Sequence, residues 1–152
     1  MKKEEIVQEV ISALERKNWE KVEQQLTEDF TFSGSVPKPI NKKDWVDVHR
    51  TIQSGIPDLK FNLHQVIAKG DKVLAKVNLE GTHTVDMPAA KFMDAKVIPK
   101  TGKKLKLPEE ELEFSFTGDK ISNLSVKPVP HGGVKGIYEQ LGAGYNAEES
   151  TY

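Results

Sequence analysis

Residues 59–79, LKFNLHQVIAKGDKVLAKVNL, carry the reading that decides the fold. Apolar side chains recur here at every second position. Phe61, Leu63 and Ile67 share one face of the first half. Val73, Ala75, Val77 and Leu79 share one face of the second, with Lys72, Lys76, Asn78 and Glu80 opposite. A period of two puts alternate side chains on opposite sides of a pleated strand, so the spacing predicts two half-buried strands. Between them Lys69-Gly70-Asp71-Lys72 makes a tight turn, because glycine and aspartate tolerate the positive φ of short hairpin loops.

Towards the N-terminus the period lengthens. In EEIVQEVISALERKNWEKVEQQL, residues Ile6, Val7, Val10, Ile11 and Leu14 have the i, i+3/i+4 spacing of one helical stripe, followed by Trp19, Val22 and Leu26. Two consecutive helices with a break near Lys17-Asn18 fit this pattern. Phe30 and Phe32 then alternate as a short strand would, ahead of a surface loop built on Gly34, Pro37 and Pro39. Asn41 is placed to cap a third helix, with Asp44 favoured in its first turn by the helix dipole. That helix carries Trp45, Val48 or His49, and Ile52 inward, and ends at SGIPD, where Gly55 and Pro57 disfavour continuation.

Towards the C-terminus, the loop DMPAAKFMDAKVIPKTGKK precedes two further strands, LKLPEEELEFSF and ISNLSVKPV, joined by the turn TGDK. A short helix is expected around Ile137 to Leu141, ended by Gly142. The expectation is therefore an α+β chain with one domain over residues 1–142 and a polar, mobile tail over 143–152. Helices first and antiparallel strands afterwards make a layer of helices on one face of a curved sheet.

Composition narrows the function classes. The chain has 152 residues, and 22 Lys+Arg nearly cancel 23 Asp+Glu, for a net charge of -1. No basic surface for a phosphate backbone is implied, so no nucleic-acid partner is expected. No cysteine is present, which removes disulfides and thiolate chemistry and agrees with a reducing compartment. The N-terminal MKKEEIVQEV has no continuous apolar core, and no apolar run approaches membrane-spanning length. A soluble cytoplasmic protein with no membrane partner is the expectation. His49, His64, His83 and His131 have no H-x-H or H-E-x-x-H spacing, so no metal site is expected.

The ordered landmarks PDL, GDKV, GTHT, TGKK, GDKI and QLG, spread from about Ile6 to Gly142, resemble the SnoaL-like polyketide cyclase group of the NTF2-like superfamily. The resemblance implies a cone-shaped fold, with long helices against a strongly curved, mainly antiparallel sheet and a pocket inside. It also implies homodimers through the outer sheet face, where Phe114 and Phe116, or whichever parity set lies outside, would supply an apolar patch. Aldol cyclases of the group use an aspartate in the last strand region as acid/base. The corresponding stretch here, KISNLSVKPVPHG, contains no carboxylate from Ile121 to Gly133.

Two residues are the candidate catalytic groups. His83 follows Val77, Leu79 and Gly81 in parity, so on a regular strand its ring enters the cone, where imidazole can move a proton near neutral pH. A bulge at Gly81 would reverse it. Glu111 is the expected partner, a carboxylate able to fix the imidazole tautomer. Leu112, Phe114 and Phe116 alternate against Glu111 and Glu113, yet Leu105 and Leu107 share the glutamates' parity, and Pro108 between them suggests a bulge. The face of Glu111 stays open. Phe30, Phe32, Trp45, His49, Val77, Leu79 and Met87 are the expected pocket wall, with Tyr138 and Leu141 covering its mouth. The function expected is a cofactor-independent cyclase, isomerase or lyase acting on a small, mostly apolar carbonyl compound. The alternatives are a non-catalytic small-molecule binder and a dimeric interaction module.

Overall fold

The computed structural model describes residues 1–34, 36, 38–89 and 96–142, so the expected tail over 143–152 lies outside the described residues. Helix α1 (Lys3–Glu15) buries Ile6, Val7, Val10, Ile11 and Leu14, the stripe its spacing predicts. Lys17 then takes a left-handed φ of 59° and ends the run, and α2 (Trp19–Gln24) restarts behind Asn18, whose side chain accepts the Lys21 N–H at 3.3 Å. Asn41 caps α3 (Lys42–Gly55) in the same way, accepting the Asp44 N–H at 2.9 Å. None of these helices is long and apolar enough to cross a membrane.

The strands are β1 (Leu26–Ser33), β2 (Ile40–Asn41), β3 (His64–Lys69), β4 (Lys72–Val77), β5 (Glu80–Thr82), β6 (Lys104–Lys106), β7 (Glu110–Thr117) and β8 (Lys120–Val126), followed by α4 (Gly133–Gln140). Six of them form one sheet in the order β2-β1-β8-β7-β4-β3, while β5 and β6 pair separately. All the neighbours in the large sheet are antiparallel except β1 and β8, which run parallel with Phe32 opposite Leu124. The helices pack on the inward face of this sheet, and the result is the cone-shaped α+β architecture.

Register decides which side chains enter the cone. Val73 lies opposite Phe114, Ala75 opposite Leu112 and Val77 opposite Glu110. Directly opposed residues of an antiparallel pair share a face, so these six point inward together. Two expectations fail on this point. Phe114 is 1% exposed inside the cone, and Phe116 packs against the core beneath Lys3, so neither supplies an outer apolar patch. Ile67 does not share the buried face of Phe61, because Gln65 takes a φ of 51° and the register shifts between His64 and Ile67, leaving Ile67 exposed.

Candidate active site

The cone encloses a cavity of about 80 Å³. Its walls come from α1 (Ile11, Leu14), α3 (Trp45, Val48, His49, Ile52), the inward sheet face (Phe32, Val77, Leu112, Leu124, Val126), the segment Leu59 and Phe61, Leu79, and α4 (Val134, Ile137). Glu110 and His49 are the titratable members of this lining.

Glu110 opens β7 and is 4% exposed. Its carboxyl group accepts the N–H of Gly133, in the first turn of α4, and its Oε2 has no partner among the described residues. Burial pushes its pKa up, and the Gly133 hydrogen bond offsets part of that rise. The close fit depends on glycine. A Cβ on Gly132 would lie 2.5 Å from Val129 Cγ2 and 3.4 Å from Glu110 Cδ, and Gly133 has a φ of 66°.

His49 stands on α3 in an aromatic stack. Its ring meets Trp45 edge-on at 4.7 Å and Phe61 at 5.7 Å, and Phe30 and Phe32 lean on Trp45 at 5.2 and 6.0 Å. Nδ1 is shut away from solvent without a partner among the described residues, although the residue as a whole keeps some accessible surface and borders the cavity. Burial pushes the imidazole down to about 4, so it is neutral at neutral pH.

The two expected catalytic residues lie elsewhere. Glu111 points out of the sheet, exposed, with Lys127 Nζ at 3.8 Å, and Glu110 takes the inward place because β7 alternates regularly from Glu110 to Phe114. Leu105 and Leu107 misled on parity, since Leu105 lies in β6 of the other sheet and Pro108 separates the runs. His83 is fully buried but is not part of the cavity wall. After Val77 the chain leaves β4, and β5 pairs with β6, which carries His83 away from the cone interior. Its Nδ1 lies 2.9 Å from Thr101 Oγ1 and accepts the Thr101 N–H at 3.2 Å, so Thr101 and not Glu111 is its partner. Its backbone N–H donates to Lys103 O at 2.9 Å and its carbonyl accepts the Gly102 N–H at 2.8 Å, making the residue a tie across the long β5–β6 arm.

Phe32, Trp45, His49, Val77 and Leu79 do line the cavity. Phe30, Met87, Tyr138 and Leu141 are buried in the core behind its walls. Glu110 is the site residue that sequence reasoning missed. Its signal was present, since it shares even parity with Leu112 and Phe114.

A curved sheet closed by helices around an internal cavity defines an NTF2-like fold, and comparison with known proteins agrees. Residues 7–123 match the SnoaL-like domain, and the chain belongs to that family. AclR of Streptomyces galilaeus, for which hydroxylase activity has been suggested, superposes with a TM-score of 0.71 at 16% identity, covering 92% of this chain and 95% of its own. IdmH of Streptomyces antibioticus, a suggested polyketide cyclase, gives 0.68 at 14% identity, covering 83% and 91%. An NTF2-like protein of unknown function from Cytophaga hutchinsonii gives 0.58 at 17% identity, covering 86% and 92%. No curated protein matches the sequence.

Proposed function

We propose that the cavity is the active site of a cofactor-independent enzyme that moves a proton on a small carbonyl compound, as a cyclase, isomerase or lyase would. The observation that carries this reading is the buried Glu110 carboxyl of the mostly apolar cavity lining, whose Oε2 has no partner among the described residues. A carboxyl raised by burial comes closer to neutral pH, where a group can both take and return a proton efficiently. Ionised Glu110 takes a hydrogen from the carbon beside the carbonyl. The C–H electron pair becomes the enol double bond, and the proton rests on Glu110. Neutral His49 carries one N–H, which can stabilise the charge that develops on the carbonyl oxygen. The enol carbon then attacks a second carbonyl, giving ring closure, or regains a proton elsewhere, giving isomerisation.

Membership of the SnoaL-like family supports this chemistry, and the location of Glu110 addresses the missing late-strand acid. The last register pair of β7 with β8 is Leu112 opposite Val126, so Glu110 lies beside the chain just beyond the end of β8. A carboxylate reaches that end of the cavity from the neighbouring strand.

The test is exchange of the α-hydrogens of butanone in D₂O, followed by proton NMR. Wild-type protein should accelerate exchange, and Glu110→Gln should remove most of the acceleration, on the order of 100-fold or more for loss of a general base. Glu111→Gln should leave the rate unchanged. Equal rates for Glu110→Gln and wild type would refute the reading.

A further inference from the structure

Helix α4 meets the cavity at one end and the β5–β6 arm at the other. Val134 and Ile137 supply part of the cavity wall, and in the first turn the Gly133 N–H is donated to the Glu110 carboxyl. The last residue, Gln140, opens the QLG stretch. Its side-chain amide pairs with the backbone of Lys106 on β6, donating from Nε2 at 2.9 Å and accepting at Oε1 at 3.1 Å. Lys103 Nζ adds a third bond, to the Gln140 carbonyl at 2.7 Å. The arm is itself joined to the cavity wall, since the Leu107 N–H donates to the carbonyl of Leu79 at 2.8 Å.

A helix of 8 residues spans about 12 Å and does not stay folded in water by itself, so its neighbours decide where α4 lies. Its buried Val134, Ile137 and Tyr138 hold it to the core, but apolar contact is non-directional and fixes position along and about the helix axis only loosely. Hydrogen bonds fix both, because they weaken steeply with distance and angle. The entry to the helix transmits a shift rather than absorbing it. Gly136 N–H donates to the Gly132 carbonyl at 3.0 Å, and a Cβ on Gly136 would stand 2.1 Å from His131 O. We propose that Gln140 is a positioning residue for Glu110: by pairing with β6 it sets the place of α4 at which the Gly133 N–H meets the carboxyl. The inference rests on the proposed function in taking Glu110 as the working carboxyl, but it can be tested without turnover.

The test is proton–nitrogen NMR of the full chain through the titration of Glu110. An N–H bound to a carboxylate is held more strongly than one bound to the neutral acid, so the wild-type Gly133 amide resonance should move with the Glu110 midpoint. Gln140→Met keeps the side-chain length and removes both amide bonds, and the movement should fall by about half or more. Lys103→Met removes only the third bond, from an exposed residue, and should give a smaller fall. Asn18→Ala removes the cap of α2, so it lowers stability without touching α4 and should leave the movement at its wild-type size. Full movement in Gln140→Met, an equal fall in Asn18→Ala, or a wild-type Gly133 resonance indifferent to Glu110 would each overturn the proposal. A Gly133 response that depends on Gln140, in a wild-type protein that fails to accelerate butanone exchange, would refute the proton-transfer reading and leave this positioning standing.

Discussion

Glu110 and His49 are both titratable, both enclosed and opposite in sign, so their effects on stability run in opposite directions with pH. The folded pKa of Glu110 is raised, so the native state holds its proton more tightly than the unfolded chain does. Its contribution is greatest below the unfolded carboxyl range and is lost as pH rises through the folded value. For His49 the folded value of about 4 lies below the ordinary imidazole value of 6.5. Between those values the unfolded chain binds more protons, so stability falls with the pH. The loss is on the order of 3 kcal/mol if the whole displacement is expressed. Denaturant unfolding of wild type and His49→Phe from pH 7 to pH 4 should therefore give curves that diverge, with wild type losing about that much more. Parallel curves would mean that the His49 ring is hydrated. At this scale the sequence was partly legible. Even parity already placed Glu110 with Leu112 and Phe114, whereas the departure of His83 from the cone depends on a change of sheet that alternation cannot register.

At the scale of elements, local chemistry explains most of what was read correctly. The break at Lys17, the Asn41 cap and the Gly70 turn are short-range features, and each occurs where the spacing placed it. The attachment of α4 is different, because it depends on contacts between residues distant in sequence. Gln140 Nε2 donates to Lys106 O at 2.9 Å, and Gln140 Oε1 accepts the Lys106 N–H at 3.1 Å, so the side-chain amide pairs with β6 as a strand backbone would. Lys103 Nζ donates to the Gln140 carbonyl at 2.7 Å. Gln140→Ala should lower stability by about 1–2 kcal/mol, the net value of two neutral hydrogen bonds. Amide exchange should then quicken in α4, at Gly136 and Leu141, and stay unchanged in β7 and β8. Uniform acceleration across the sheet would show that α4 and the sheet unfold as one unit.

For the whole molecule, helices followed by strands were enough to predict an α+β layer of helices on one face of a curved sheet, whereas the cone shape was what the family resemblance implied. The parallel pairing of β1 with β8 was not legible, since it joins residues about ninety positions apart, and no local pattern encodes such a register. Gly34 marks the place where those two strand ends meet. It has a φ of 105°, and a Cβ there would stand 1.8 Å from Val126 O. Gly34→Ala should cost on the order of 3 kcal/mol or more, measured as a lowered thermal midpoint, and a neutral outcome would contradict this close approach. The same closure makes a cavity whose carboxyl is supplied by β7 and clamped by α4, and that is the central claim of the account. The most direct measurement is the carbon-13 NMR titration of the Glu110 side-chain carboxyl in the intact chain, with and without butanone. The account predicts a midpoint above the usual glutamate range and a resonance that moves when butanone is added. A midpoint within the usual range, together with a resonance indifferent to butanone, would contradict it.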